Sequence, residues 1–223
     1  MVVDPVAEPA TYFQLAEGLG VTIRFVVDTH VHADHVSTGR ALAAVTGAEY
    51  VLHASAGATY AFRAADEGDT LHAGNVSLGV VHLPGHTPEH LGLVVVDHTR
   101  GERPWLVLTG HTLMVGDMGR TELASDAEAG ARALYRSARK LRALPDDVLV
   151  LPGAFAGSVC GRALSGTPIS SIGFERHANR AFRIDDEDEF VAFMLRETPT
   201  RPPRAAEIRA ANMLAEPPQV LSA

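Results

Sequence analysis

The sequence predicts a mixed α/β fold with a site where strands end. Two observations carry that expectation. Strand-length runs rich in β-branched residues come first, and helix-length segments are interspersed among them. Polar, histidine-bearing words then follow directly on three such runs, after Val27, after Leu83 and after Thr109.

In chain order, residues 21–28 form a strand candidate ended by a polar turn. Residues 37–46 read as a short helix, with Ser37 as N-cap and Gly47 just past its end. A short strand is expected over 50–53, and an alanine-rich helix or turn over 54–65. The alternation of 75–83 makes a strand that Pro84-Gly85 stops. Apolar runs at 91–96 and 105–109 are strands, and 97–104, with its glycine and proline, is the hairpin loop between them. The strongest helix covers 126–144, with Leu134, Ala138 and Leu141 on one face and arginines on the other. A strand over 148–151 is stopped by Pro152-Gly153. Residues 185–195 read as a helix whose acidic first turn suits the helix dipole. One domain over 1–198 follows, and the proline- and arginine-rich stretch 199–223 reads as a tail or linker remnant.

Composition narrows the function classes. The 223 residues suit one domain, or one domain with an appendage. A formal charge of −8 gives no general attraction to nucleic acid or an anionic membrane, so neither partner is expected. The single cysteine excludes an internal disulfide scaffold and favours a reducing compartment, which places the chain in the cytoplasm. No apolar run is long enough to span a bilayer, and the opening Met-Val-Val-Asp-Pro shows no secretory signal pattern. Lys140 is the only lysine and lies in an ordinary helical stretch, which argues against Schiff-base or P-loop chemistry.

Histidine is the unusual count: 10 of the 11 lie between His30 and His111. His30, His32, Asp34 and His35 fall within six residues and can converge where a loop turns sharply after a strand. Imidazole and carboxylate together suit zinc, iron or manganese. His86 and His111 each stand just past a strand-length run, where a site on a sheet edge would sit.

The words His30-x-His32-x-Asp34-His35, Pro84-Gly85-His86-Thr87 and Leu108-Thr109-Gly110-His111 resemble the metallo-β-lactamase superfamily. Residues 28–37, the word Pro84-Gly85-His86-Thr87-Pro88-Glu89-His90 and residues 115–121 are similar to its persulfide dioxygenase branch. Residues 157–161 and 172–176 look like the bacterial members fused to a rhodanese domain. The resemblance implies an αββα sandwich with metal held by loops along one edge. It implies one divalent ion, iron(II) before zinc(II), and oxidation of a glutathione-type or small-thiol persulfide by dioxygen to sulfite. Carried over residue by residue, His30, His86, His111 and His32 are metal residues, Asp34 and His35 belong to the catalytic motif, and Arg120 is a candidate clamp for a substrate carboxylate. A homodimer is compatible with this reading.

The chain departs from the family pattern in two metal words. His111 stands where the family has aspartate, and Ala154 where it has histidine. Both changes argue against a two-metal hydrolase and leave a single-metal, three-histidine site as reasonable chemistry. Family members also carry strand sequence before the Val3-Asp4-Pro5 word, so either the start is misassigned or a first strand is missing and the sheet has a raw edge. Two alternatives stay open: a single-zinc thioester or ester hydrolase of the glyoxalase II kind, and a catalytically decayed metal-binding or interaction protein. Elsewhere, Cys160 reads as a small buried side chain, Glu89 and His90 as a solvated turn or, alternatively, as groups that orient His86, and Arg120 equally as a structural tie between loops.

Overall fold

The structure is a computed structural model that describes residues 1–162, 164–196, 198 and 202–215. Its elements run β1 (Val2–Val3), α1 (Pro9–Leu19), β2 (Phe25–Val27), α2 (Gly39–Thr46), β3 (Glu49–His53), β4 (Arg63–Ala65), β5 (Thr70–Ala73), β6 (Val76–His82), β7 (Leu91–Asp97) and β8 (Leu106–Gly110). They continue β9 (Leu113–Met114), β10 (Asp117–Met118), α3 (Ala127–Arg142), β11 (Leu149–Pro152), β12 (Ser170–Ser171), α4 (Ile172–Ala178), α5 (Glu187–Arg196) and α6 (Ala205–Met213). They fall into two compact units: Met1–Ala65 with the described residues from Pro203 onward, and the described residues of Asp66–Pro202.

The first unit is built on a parallel sheet in the order β1-β2-β3-β4. Its inner strand β2 is buried at every position, as a continuous apolar run in a parallel sheet should be. Val26, Leu52 and Tyr50 from the strands meet Leu42 and Ala43 of α2 in one apolar cluster. The two residues of β1 stand at the edge of this sheet, paired in parallel with β2. Thr38, not Ser37, takes the N-cap position of α2, while Ser37 Oγ accepts from Gly39 N at 3.0 Å. Residues 54–65 form no α-helix: a 3-10 turn at Ala54–Ala56 ends at Gly57 with φ 68°, and β4 follows. Helix α1 went unforeseen because it buries only Ala16 and so shows no apolar stripe.

Helix α6 corrects the reading of 199–223 as a tail. Ala205 and Ala211 are buried, and Met213 packs on the cluster of the first unit. Small residues gave that helix no apolar signal in the sequence. Residues 199–201 and 216–223 of the expected tail lie outside the described residues.

The second unit is built on a mixed sheet in the order β12-β11-β8-β7-β6-β5, with only β11 and β8 parallel. The strands expected at 75–83, 91–96, 105–109 and 148–151 all lie in it. Helix α3 is capped by Asp126, whose carboxylate accepts from Ala129 N at 3.0 Å. Leu134, Ala138 and Leu141 are buried as expected and join Leu83, Val107 and Val150 in the core of this unit. Arg139, Lys140 and Arg142 stand in its last turn, where cations oppose the helix dipole.

Candidate metal centre

In the first unit the chain leaves β2 and turns through the histidine loop. Asp4, at φ 47°, is the anchor of that turn. Its carboxylate accepts from Thr29 N at 2.7 Å and from Thr29 Oγ1 at 2.9 Å, and pairs with His32 Nε2 at 3.0 Å. Because the Thr29 hydroxyl donates to Asp4, its oxygen is left to accept from His30 Nδ1, 2.9 Å away. His30 Nε2 therefore carries the ring's lone pair, the form a metal needs. Ligand atoms of His30, His32 and Asp34 lie within 4.8 Å of one another. Asp34 Oδ1 sits 3.6 Å from His32 Nδ1 and 3.2 Å from His35 Nδ1.

Burial alone would push the His32 imidazole down. Asp4, Asp34 and Asp28 outweigh that and raise it to about 10. A metal taking a His32 nitrogen must displace a proton that these carboxylates favour. Asp28 itself is buried, which pushes its carboxyl above the usual range, and Tyr50 donates its hydroxyl to Asp28 Oδ2 at 2.6 Å. Helix α6 reaches the same loop. Asn212 Nδ2 donates to the carbonyls of His32 at 3.0 Å and His35 at 2.9 Å, Asn212 Oδ1 accepts from Ser37 N at 3.0 Å, and Arg209 donates to the Val31 carbonyl at 2.7 Å.

In the second unit the Pro84-Gly85 turn brings His86 off β6. Gly85 has φ 146°, and a Cβ there would lie 2.5 Å from Leu134 Cβ of α3, so only glycine fits. His86 Nδ1 donates to the Arg120 carbonyl at 2.7 Å, which leaves the lone pair on Nε2. That nitrogen faces His111 Nδ1 at 3.3 Å. His90 holds residue 111 from behind: its Nε2 accepts from His111 N at 3.0 Å, and its Nδ1 donates to Thr112 Oγ1 at 3.2 Å. Thr112 passes its own proton to the Leu83 carbonyl at 3.0 Å. Glu89 and His90 are thus buried rather than part of a solvated turn.

Arg120 is buried, and its fork is engaged by protein groups. Nε donates to Glu122 Oε1 at 2.6 Å, and Nη1 donates to the Val159 carbonyl at 3.0 Å. Those bonds fix the segment whose carbonyl orients His86, which is the tying role. A substrate carboxylate would have to displace Glu122 to reach the guanidinium. Cys160 and Ala154 are both buried. Sequence reasoning missed Asp4, Arg209 and Asn212 as parts of the site, and only the Asp4-Pro5 turn gave any signal. The sequence does offer His90 as an orienting group beside the His86 word, and in the structure its ring holds the His111 amide.

The residues of the second unit suit a divalent metal. Two nitrogens bound at about 2.0–2.1 Å in a tetrahedral shell lie about 3.3–3.4 Å apart. His86 Nε2 and His111 Nδ1 stand at 3.3 Å. His86 Nε2 has no proton to give, so His111 Nδ1 is the donor across this pair, and a cation bound there would replace its proton.

The fold and these words define a class. The model of the metallo-β-lactamase superfamily matches residues 1–153, and the chain belongs to that superfamily. It is similar to the mitochondrial persulfide dioxygenase ETHE1 of Homo sapiens, 30% identical over 197 residues, 87% of this chain and 70% of that protein. It is also similar to the hydroxyacylglutathione hydrolase of Rhodospirillum rubrum, 33% identical over 157 residues, 68% of this chain and 56% of that protein. Two crystal structures share its fold. One is a metallo-β-lactamase from Staphylococcus aureus, with a TM-score of 0.88 and 29% identity, covering 95% of this chain and 64% of that one. The other is ETHE1 from Myxococcus xanthus, with a TM-score of 0.80 and 30% identity, covering 95% and 86%. The fold class and the persulfide dioxygenase resemblance expected from the motifs are borne out.

Proposed function

We propose that this chain is a single-metal persulfide dioxygenase, with His30, His86 and His111 as the ligands of one iron(II) ion. The carrying observation is the His86–His111 pair, set at the 3.3 Å spacing of two ligands on one ion, with His86 fixed in the ligating tautomer. His30 joins them on the superfamily pattern, its tautomer set by Thr29 and Asp4. Similarity to named persulfide dioxygenases over 87% of the chain supports the branch.

The reaction converts a glutathione-type or small-thiol persulfide, dioxygen and water to the thiol, hydrogen sulfite and a proton. When bound, the metal supplies redox chemistry and a positive anchor for the anionic persulfide sulfur. Three imidazoles leave the ion with no carboxylate to offset its charge, which favours a thiolate-type ligand. His86 and His111 hold their geometry through Arg120 and His90, so neither needs to reorient. Asp34 and His35 handle protons beside the loop; Asp34 Oδ1 already faces both His32 and His35. His32 stays in the Asp4 bond and steadies the loop.

The test is anaerobic purification, elemental analysis and oxygen uptake on glutathione persulfide. Bound iron with persulfide-dependent uptake is expected. A second reading, a single-zinc thioester hydrolase, is favoured by the 33% identity to a hydroxyacylglutathione hydrolase. Bound zinc with thioester hydrolysis and no oxygen uptake would establish it instead.

A further inference from the structure

We infer that Asn212 and Arg209 of helix α6 are positioning residues for the histidine loop. The inference rests on the reading of that loop as a metal loop and names what holds it in shape. Loops of this kind lack the regular ladder that satisfies backbone groups in a strand or helix, so something else must pair them. Here one amide side chain pairs three of them. Asn212 donates both protons of Nδ2, to His32 and His35 carbonyls, and accepts the Ser37 amide on Oδ1. Three bonds from one planar group fix the distances among residues 32, 35 and 37, the stretch that carries His32, Asp34 and His35. Arg209, one turn earlier on the same face, fixes the Val31 carbonyl at 2.7 Å.

The helix is in turn seated by bonds that do not involve the loop. Tyr60 donates its hydroxyl to the Asn212 carbonyl at 2.6 Å, and Thr59 N donates to the Met213 carbonyl at 2.8 Å. Seating and clamping are therefore separable by mutation. Asn212→Ala removes the clamp and leaves the seat. Tyr60→Phe weakens the seat and leaves the clamp. Asn212→Asp keeps the acceptor for Ser37 but sets a carboxylate against two carbonyls. Arg209→Lys keeps one donor for Val31, whereas Arg209→Ala keeps none.

The first measurement is hydrogen exchange on protein stripped of metal. Asn212→Ala and Asn212→Asp should speed exchange at residues 31–37 by tenfold or more, while β2 and β3 stay at the native rate. Tyr60→Phe should leave residues 31–37 within about twofold of native. The second is zinc affinity by chelator competition, with zinc as the probe. Arg209→Ala, which frees the carbonyl of the residue after His30, should weaken it by about the 10–100-fold typical of groups that orient ligands, Asn212→Ala should weaken it by less, and Arg209→Lys should restore most of the Arg209→Ala loss. Equal effects of Asn212→Ala and Tyr60→Phe on loop exchange would overturn the inference, since the helix would then act only through general stability. Unchanged loop exchange in Asn212→Ala would overturn it as well. A native protein that binds no zinc or iron defeats the proposed function, but the exchange comparison still decides the role of α6.

Discussion

His90 holds the most informative single position outside the ligands. It is fully buried, and it joins the amide of His111 to the Thr112 hydroxyl. His90→Leu keeps an apolar side chain in place but strips the acceptor from a buried N–H and the donor from Thr112. An orphaned buried amide costs about 1–3 kcal/mol, and the second lost bond about 0.5–1.5 kcal/mol. The sum is about 1.5–4.5 kcal/mol. For a chain of this size each kcal/mol moves the melting midpoint by about 2–4 °C, so a fall of about 3–18 °C is expected by calorimetry. His90→Gln places an amide oxygen near the lost Nε2 and can still accept from His111, so its midpoint should fall by no more than about 4 °C. Chelator competition should show metal affinity falling about 10–100-fold for the leucine variant, because the backbone carrying His111 is no longer held. The reasoning fails if the two variants melt together, or if His90→Leu melts within about 2 °C of the native protein.

Three other outcomes are expected. His111→Ala should weaken metal binding by at least about 10–100-fold, whereas His111→Asp should restore a two-histidine, one-carboxylate set and keep or raise persulfide-dependent oxygen uptake; loss of uptake in the aspartate variant would count against His111 as a ligand position. Gly119→Ala would set a Cβ 2.1 Å from the His111 carbonyl oxygen and 3.2 Å from His86 Nδ1, so a loss of about 1–3 kcal/mol or more is expected in denaturant unfolding, with weakened metal binding; a native-like midpoint would mean the loop yields freely. The Thr99 hydroxyl and amide, with Arg100, hold the Asp97 carboxyl below its usual value of 3.8, so the turn they form is intact above that pH and is lost as pH falls through the lowered value; a Thr99 amide resonance titrating at or above 3.8 would contradict it.

The family, the strands of the second unit and the identity of the histidines were legible in the chain because each is written locally. A strand followed by Pro-Gly-His, or four ligand residues within six positions, depends only on neighbours in sequence. Strand 75–83 and helix 126–144 were legible for the same reason: their periodicity is set by which face meets the core. The tertiary structure decided which nitrogen of each imidazole bears the lone pair. His30 takes its tautomer from Asp4 through Thr29, and His86 takes it from a carbonyl 34 residues away. Tertiary structure also decided that 205–213 is no tail. Its helix carries little apolar signal, and its polar side chains find their partners 175 to 180 residues back in the chain, on carbonyls and an amide that no sequence pattern marks as needing them. Residue types set what chemistry the loops can do, while the pairing of buried backbone and ring groups, which is long-range by nature, sets whether they are held ready to do it.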